Sequence, residues 1–341
     1  MKAFISGCAG TRLERHEAEF FAAAEPWGLI LFKRNCGDPD QIRELTAAFH
    51  EAVGRPDAPV LIDQEGGRVQ RLQPPHWPKY PPAAVLGRIV EKDEESGRRA
   101  AWLHGRLIAA DLRDVGIDVD CAPVLDVLAP GASQAIGDRS PGTNPQVVAV
   151  VGRSLADGLL AGGVLPVMKH IPGQGRAEGD SHLVLPVVEA DLDTLSESDF
   201  VPFAELSDLP MAMTAHVVVK AVDPDHSVTV SEAVIRDIIR KRIGFDGLLL
   251  SDDVSMHALS GDYSSRAAAI YAAGCDLVLH CNGRTEEMRE IGGAAPALGG
   301  KSRERAARAL AAKKEPASFD RESGREEYLA LLARAGWPAV S

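Results

Sequence analysis

The stretch from Val164 to His182, VLPVMKHIPGQGRAEGDSH, decides the fold. It opens with an apolar run, Val164 to Met168, that does not alternate with polar residues. Such a run suits a strand buried on both faces, as in a parallel sheet. It then turns polar at Lys169-His170 and enters a loop containing Pro172, Gly173, Gly175 and Gly179. Proline and repeated glycine end regular structure and give the backbone unusual freedom. The loop closes on Asp180-Ser181-His182. A buried strand that delivers polar residues into a glycine-rich loop is the unit from which the rest of the chain is read.

Working outward, the same unit recurs. Apolar runs lie at Ala3–Ser6, Gly28–Phe32, Pro59–Ile62, Ile117–Cys121, Val164–Met168, Met211–Thr214, Gly247–Leu250 and Asp276–Leu279. Between them, Pro39–Val53, Arg98–Val115, Pro145–Ala161 and Ser231–Ile243 carry apolar positions at helical spacing. Ser231-Glu232 reads as a helix start and Gly244 as its stop. Strands alternating with helices predict an α/β fold, a single (β/α)8 TIM barrel over residues 1–300. Residues 301–341, rich in Arg, Lys, Glu and Ala, are expected to form a helical extension packed on the barrel. A doubly wound open sheet is the structural alternative.

The polar strand ends separate the two. The runs lead into Asp63, Asp126, Lys169-His170, His216, Asp252-Asp253 and His280-Cys281-Asn282. An open sheet would spread these along an edge. A closed barrel gathers them into one ring at its C-terminal mouth, where barrel chemistry sits.

Composition narrows the function. The 341 residues are 45% hydrophobic, enough for a large core, and the formal net charge is −12. That charge disfavours nucleic acid and anionic membrane as partners. No apolar run approaches the roughly 20 uncharged residues a membrane span requires, and no signal peptide is recognisable, so a cytoplasmic protein is expected. The five cysteines, Cys8, Cys36, Cys121, Cys275 and Cys281, form no CxxC and read as reduced thiols.

Asp180 and His182, two positions apart, are the clearest chemical signal. A carboxylate beside an imidazole favours the imidazolium and orients the ring, giving a group that can donate and accept a proton near neutrality. His170, His182, His216, Asp180 and Asp252 carry metal-ligating atoms, but no HxH or HExxH fixes two of them on one element, so no metal is expected. No P-loop is present and the glycines do not follow a strand as GxGxxG, so no nucleotide cofactor is expected.

Taken in order, the motifs resemble glycoside hydrolase family 3, in particular its bacterial β-N-acetylglucosaminidase branch. The resemblance rests on Asp63-Gln64-Glu65-Gly66-Gly67-Arg68-Val69-Gln70-Arg71, Ala122-Pro123-Val124-Leu125-Asp126, Ile136-Gly137-Asp138-Arg139-Ser140, the Lys169–His182 stretch, Met213-Thr214-Ala215-His216 and Ser251-Asp252-Asp253-Val254-Ser255-Met256. It implies Asp252 as the nucleophile, His182 as the acid/base and Asp180 as the group that holds and polarises His182. It also implies that Asp63, Arg71, Arg139, Lys169 and His170 bind the sugar, with Asp253 a structural neighbour. Gln174 departs from the usual histidine of this loop, and Pro141 stands where the family usually has an aromatic.

The function implied is exo-cleavage of β-linked N-acetylglucosamine from muropeptides, chiefly GlcNAc-1,6-anhydro-MurNAc species, in cell-wall recycling. The partner is a small-molecule sugar substrate, the protein is expected to be a monomer, and no cofactor is implied. A phosphorylase with the same dyad, a metal-dependent barrel hydrolase and a catalytically silent sugar-binding barrel are the alternatives. Trp27, Trp77 and Trp102 are read as packing residues rather than sugar platforms.

Overall fold

The computed structural model describes residues 1–131, 134–177, 185–256 and 261–337. Eight parallel strands close into one barrel. They are β1 (Lys2–Ser6), β2 (Pro26–Leu31), β3 (Val60–Ile62), β4 (Val119–Asp120), β5 (Leu165–Ile171), β6 (Met211–Thr214), β7 (Leu248–Asp253) and β8 (Leu277–His280). Each pairs with the next in sequence, and β8 returns to β1 through Phe4↔Val278 and Ile5↔Leu279. A doubly wound sheet reverses its strand order and leaves two edges. Here the order is sequential and the ring has no edge, which is the (β/α)8 barrel.

Helices occupy the crossovers: α1 (Arg15–Ala24), α2 (Pro39–Val53), α3 (Ala83–Lys92), α4 (Glu94–Arg113), α5 (Pro145–Ala161), α6 (Leu192–Glu197), α7 (Val201–Glu205), α8 (Tyr263–Ala273) and α9 (Thr285–Ala294). The ends of α2 and α5 follow from local chemistry. Asp38 and Asn144 cap their first turns by accepting from Gln41 N and Gln146 N, each followed by a proline at the first helical position. Gly54, at φ +62°, ends α2 in the left-handed conformation.

Two expected helices differ. α4 begins at Glu94 rather than Arg98, because the Asp93 side chain accepts from Ser96 N and nucleates an earlier turn. The segment read as a helix from Ser231 becomes a π-helix, Val234–Arg242, with the Ser231 hydroxyl accepting from Val234 N.

Alternation along the strands sorts the interior into two cores. Ile5, Leu61, Val119, Cys121, Leu165, Val167, Met211, Met213, Leu248, Leu250, Leu277 and Leu279 form one cluster inside the barrel. Phe4, Leu29, Leu31, Val60, Ile62, Met168, Ala212, Leu249 and Val278 belong to the clusters between sheet and helices. The inward parity, carried one residue pair further up each strand, reaches Asp63 after Leu61, Lys169 after Val167, Asp252 after Leu250 and Cys281 after Leu279. The sequence boundaries stopped short here: β5 continues through Lys169-His170 and β7 through Asp252-Asp253. These residues therefore stand on rigid strands.

Two further helices follow the barrel. α10 (Gly300–Ala311) crosses its N-terminal end, and its Ala306 and Ala309 join the inner core. α11 (Arg321–Arg334) lies on α4, where the Tyr328 hydroxyl meets His104 Nδ1 at 2.6 Å. The residue division expected at 300/301 falls at the start of α10. Among the described residues, no helix is long and apolar enough to cross a membrane.

Candidate active site

A cavity of about 420 Å³ opens at the C-terminal mouth, within the roughly 300–1,000 Å³ range of small-molecule sites. Asp63, Arg71, Arg139, Lys169, His170 and Asp252, all named from the sequence, line it. Asp180 and His182 lie outside the described residues. Ala177 and Pro186, which flank their segment, both line the cavity.

An ion cluster forms one wall. Lys169 Nζ donates to Asp63 Oδ1 at 2.8 Å and reaches Glu65 Oε1 at 2.7 Å. Arg71 Nη2 donates to Asp63 Oδ2 at 2.8 Å. Arg139 grips Glu65 with Nε at 2.9 Å and Nη2 at 2.8 Å, the two-pronged geometry a guanidinium favours. Burial would raise the Asp63 carboxyl, but Lys169 and Arg71 outweigh it and hold the group well below the usual carboxylate range. Burial acts on Glu65 in the same sense, and Lys169 and Arg139 overcome it, bringing it to about 2. Burial would lower Lys169, yet Asp63 and Glu65 push it up instead. Asp63, Glu65 and Lys169 thus stay ionised at neutral pH, and three cations facing two carboxylates leave the cluster one positive charge in excess. Each partner offsets the desolvation of the others, which an isolated buried charge cannot achieve.

His170 is fixed from behind. Its Nδ1 donates to Asp126 Oδ2 at 2.7 Å, and Asp126 Oδ1 accepts from Gln174 N at 2.8 Å. Asp126 is fully buried, so this pairing sets the ring orientation. Nε2 faces the cavity, 3.5 Å from Arg139 Nη2. The Lys169–His170 and Ile171–Pro172 peptides are cis.

The opposite wall is β7. Asp252 Oδ1 accepts from Asp253 N at 2.7 Å, and the carboxylate borders open volume. Asp253 is bound elsewhere: Oδ1 accepts from Ser255 N at 3.0 Å and Cys281 N at 3.1 Å, and Oδ2 from Ser255 Oγ at 2.5 Å. Asp253 ties β7 to β8, while Asp252 keeps accepting capacity at the cavity. His216 backs this wall, its Nε2 donating to Asp253 O at 3.0 Å and its Nδ1 meeting Thr229 Oγ1 at 2.7 Å. The carbonyl can only accept, so Nε2 carries a proton, while the Thr229 hydroxyl also lies 3.1 Å from Ala215 O.

Glu65, Asp126 and His216 complete the site; the sequence placed Asp126 and His216 in the ring of strand ends without a specific role, and did not single out Glu65. Glu65 shares the alternation of Asp63, two residues on, which was the available signal. Nothing local pairs Asp126 with His170. None of Trp27, Trp77 and Trp102 lines the cavity, and Pro141 is buried with its carbonyl against Gly87 of α3. Gln174 does line the cavity, while its backbone holds Asp126.

The arrangement presents a carboxylate facing a fixed array of hydrogen-bond donors across a sugar-sized space. The pattern of the glycosyl hydrolase family 3 N-terminal domain matches residues 6–307. The β-hexosaminidase of Methylococcus capsulatus is 41% identical over 277 residues, 80% of each chain. That of Aromatoleum aromaticum is 39% identical over 278 residues, 80% of this chain and 77% of its own. Among solved structures, NagZ from Neisseria gonorrhoeae in complex with N-trifluoroacetyl-D-glucosamine superposes with a TM-score of 0.85 at 34% identity, covering 98% of this chain and 97% of its own. A family 3 β-N-acetylglucosaminidase from Paenibacillus gives a TM-score of 0.78 at 29% identity, over 99% of this chain and 63% of its own.

Proposed function

The chain belongs to glycosyl hydrolase family 3 and is a β-N-acetylhexosaminidase, and on that premise we propose that it removes terminal β-linked N-acetylglucosamine from muropeptides with retention of configuration. The substrates are GlcNAc-1,6-anhydro-MurNAc peptides, met in the cytoplasm during cell-wall recycling. The observation that carries the reading is the placement of Asp252. It lines the same cavity as Asp63, Lys169, Arg71 and Arg139, and as Ala177 and Pro186, the described residues on either side of the stretch that carries Asp180 and His182.

In the first step Asp252 attacks the anomeric carbon as the glycosidic C–O bond breaks, and His182 gives its proton to the leaving oxygen. The sugar is then held as an ester on Asp252. In the second step water attacks the same carbon, His182 takes a proton from it, and the Asp252 carboxylate is released. Retaining hydrolysis requires this pair of groups, one on each side of the scissile bond. Most such enzymes use two carboxylates. A histidine that has given up its proton is neutral, so it does not repel Asp252 as a second carboxylate would. Asp180 holds the imidazole in its working orientation. Asp63, Lys169, Arg139 and His170 bind sugar hydroxyls and the acetamido group. Their fixed positions reduce the reorganisation required in the transition state.

The test is hydrolysis of a GlcNAc-1,6-anhydro-MurNAc peptide with EDTA present and phosphate absent, followed by NMR of the released sugar. Free GlcNAc appearing first as the β-anomer supports the reading. Product only on adding phosphate, as GlcNAc-1-phosphate, would instead mean phosphorolysis. Binding without release would mean a silent sugar-binding barrel.

A further inference from the structure

The loop root that follows β5 is pinned residue by residue. Gln174 N donates to the buried Asp126 carboxylate. Gly175 is pressed against Val127, where an added Cβ would lie 2.1 Å from the carbonyl oxygen. Ala177 is buried in the outer core. Between them, Arg176 reaches Asp199, a residue just beyond α6. Nε lies 2.9 Å and Nη2 2.7 Å from Asp199 Oδ2, Nε is 3.1 Å from Oδ1, and Nη2 meets Ser198 Oγ at 2.9 Å. The Ser198 hydroxyl in turn lies 2.6 Å from Asp199 Oδ2 and 2.7 Å from Thr194 O. Asp199 is 1% exposed.

A buried ion pair is weak evidence of stabilisation, since apolar residues of similar volume often do as well. What a guanidinium fork adds is direction, because it fixes position and angle together. The far end of the segment is fixed too. Val187–Val188 pair in parallel with Val218–Val219, just after His216. Asp180 is four residues from Arg176, and a fully extended chain spans at most about 3.3–3.6 Å per residue. Arg176 is thus held four residues before Asp180 in the chain.

We infer that the Arg176–Asp199 pair is a positioning device for the acid/base histidine, setting the reach of His182 to the leaving-group oxygen without itself touching substrate. This rests on the reading of His182 as the acid/base. Losing the pair should weaken leaving-group protonation while leaving attack by Asp252 intact.

The experiment measures kcat/KM for dinitrophenyl, nitrophenyl and phenyl β-N-acetylglucosaminides, in order of rising leaving-group basicity, with wild type, Arg176→Gln, Arg176→Lys, Asp199→Asn and His182→Ala. A dinitrophenolate leaves without a proton, so Arg176→Gln should stay within a few-fold of wild type on that substrate. On the phenyl glycoside it should lose on the order of 10–100-fold, a fraction of the 10²–10⁴ a general acid supplies. Arg176→Lys should recover part of that loss. An equal loss on all three substrates would make the pair merely structural and overturn the inference. If Arg176→Gln does not fold, Arg176→Lys and Asp199→Asn are judged by the same criterion. His182→Ala separates the two levels. Steep leaving-group dependence there, with none in the pair variants, overturns the inference alone. No dependence in His182→Ala overturns the acid/base reading and the inference with it.

Discussion

The barrel carries a network of carboxylates and cations at each end, and the two differ in what remains unspent. At the floor, Asp276 Oδ2 accepts from Arg240 Nη2 at 2.9 Å and Leu249 N at 3.0 Å. Its Oδ1 accepts from Ser302 Oγ at 2.6 Å and Arg305 Nη1 at 3.2 Å. Arg240 continues to the carbonyls of Phe245 and Gly247, and Arg305 to Asp246. Each Asp276 oxygen thus has two partners, and the network stitches α10 and the π-helix to the strands. At the mouth, Asp63 and Glu65 are equally well paired, but their cations border open volume. Asp252 keeps accepting capacity at the cavity. A structural network consumes its hydrogen bonds internally; a binding site leaves some directed at a cavity.

The comparison breaks most sharply at Asp252. Asp252→Ala should reduce kcat on the order of 10⁴-fold, the scale of losing one member of a catalytic set. Its thermal unfolding midpoint should hardly move. A loss below tenfold on an aryl glycoside would show that Asp252 is not the nucleophile.

The second test pits the two ends against each other. Lys169→Met leaves Asp63 and Glu65 without their shared ammonium. Asp276→Ala leaves Arg240 and Arg305 without their shared carboxylate. Both should destabilise by about 3–5 kcal/mol, the effect of breaking a buried pair. Only Lys169→Met should also cut kcat/KM, on the order of 10²–10³-fold. Paired urea melts and kinetics well below each transition read this out, and equal activities would erase the distinction between mouth and floor.

A third test uses a carboxyl beside the mouth that serves neither network. By the alternation of β4, Asp120 points away from Val119 and Cys121, which face inward. Its Oδ1 accepts from Gln64 N at 2.9 Å and its Oδ2 has no partner among the described residues. Burial pushes this group up to about 7. The folded state therefore holds the proton more tightly than the unfolded state does. The resulting stabilisation is full below about pH 4 and is lost as pH rises through about 7. At 1.36 kcal/mol per unit, the full swing is about 4 kcal/mol. Asp120→Asn should remove it, so urea unfolding at pH 8 should favour the variant relative to the same comparison at pH 5. An identical difference at both pH values would contradict this.

The smallest effect is expected at Gln174. Gln174→Ala keeps the backbone N–H that holds Asp126, so kcat/KM on the aryl glycoside should change by less than about fivefold, roughly 1 kcal/mol. A larger loss would mean that the side chain, not only the backbone, takes part in sugar binding.

The barrel was legible because its signal is local and repeated. Val164–Met168 and its counterparts are each apolar over a few consecutive residues, and a strand covered on both faces demands that composition wherever it occurs. Asp63, Lys169, His170 and Asp252 were legible for a related reason: they end such runs, and closing the barrel gathers the strand ends at one mouth. Asp126 ended such a run too, but its pairing with His170 was not legible, and neither was Glu65. Arg139 lies 74 positions from Glu65, Lys169 lies 106 from Asp63, and His170 lies 44 from Asp126. No short-range spacing encodes such pairs. The same limit hid the Arg176–Asp199 pair, in which an apparent loop arginine meets a residue beyond the next helix.

The sequence by itself determined the fold class, the ring of strand ends and the residue types available for chemistry, because periodicity and composition act over a few neighbouring residues. Only the tertiary structure decided which charges are consumed by one another and which face open space. Closing the barrel brings distant strand ends within hydrogen-bond reach, and burial then makes every pairing there consequential.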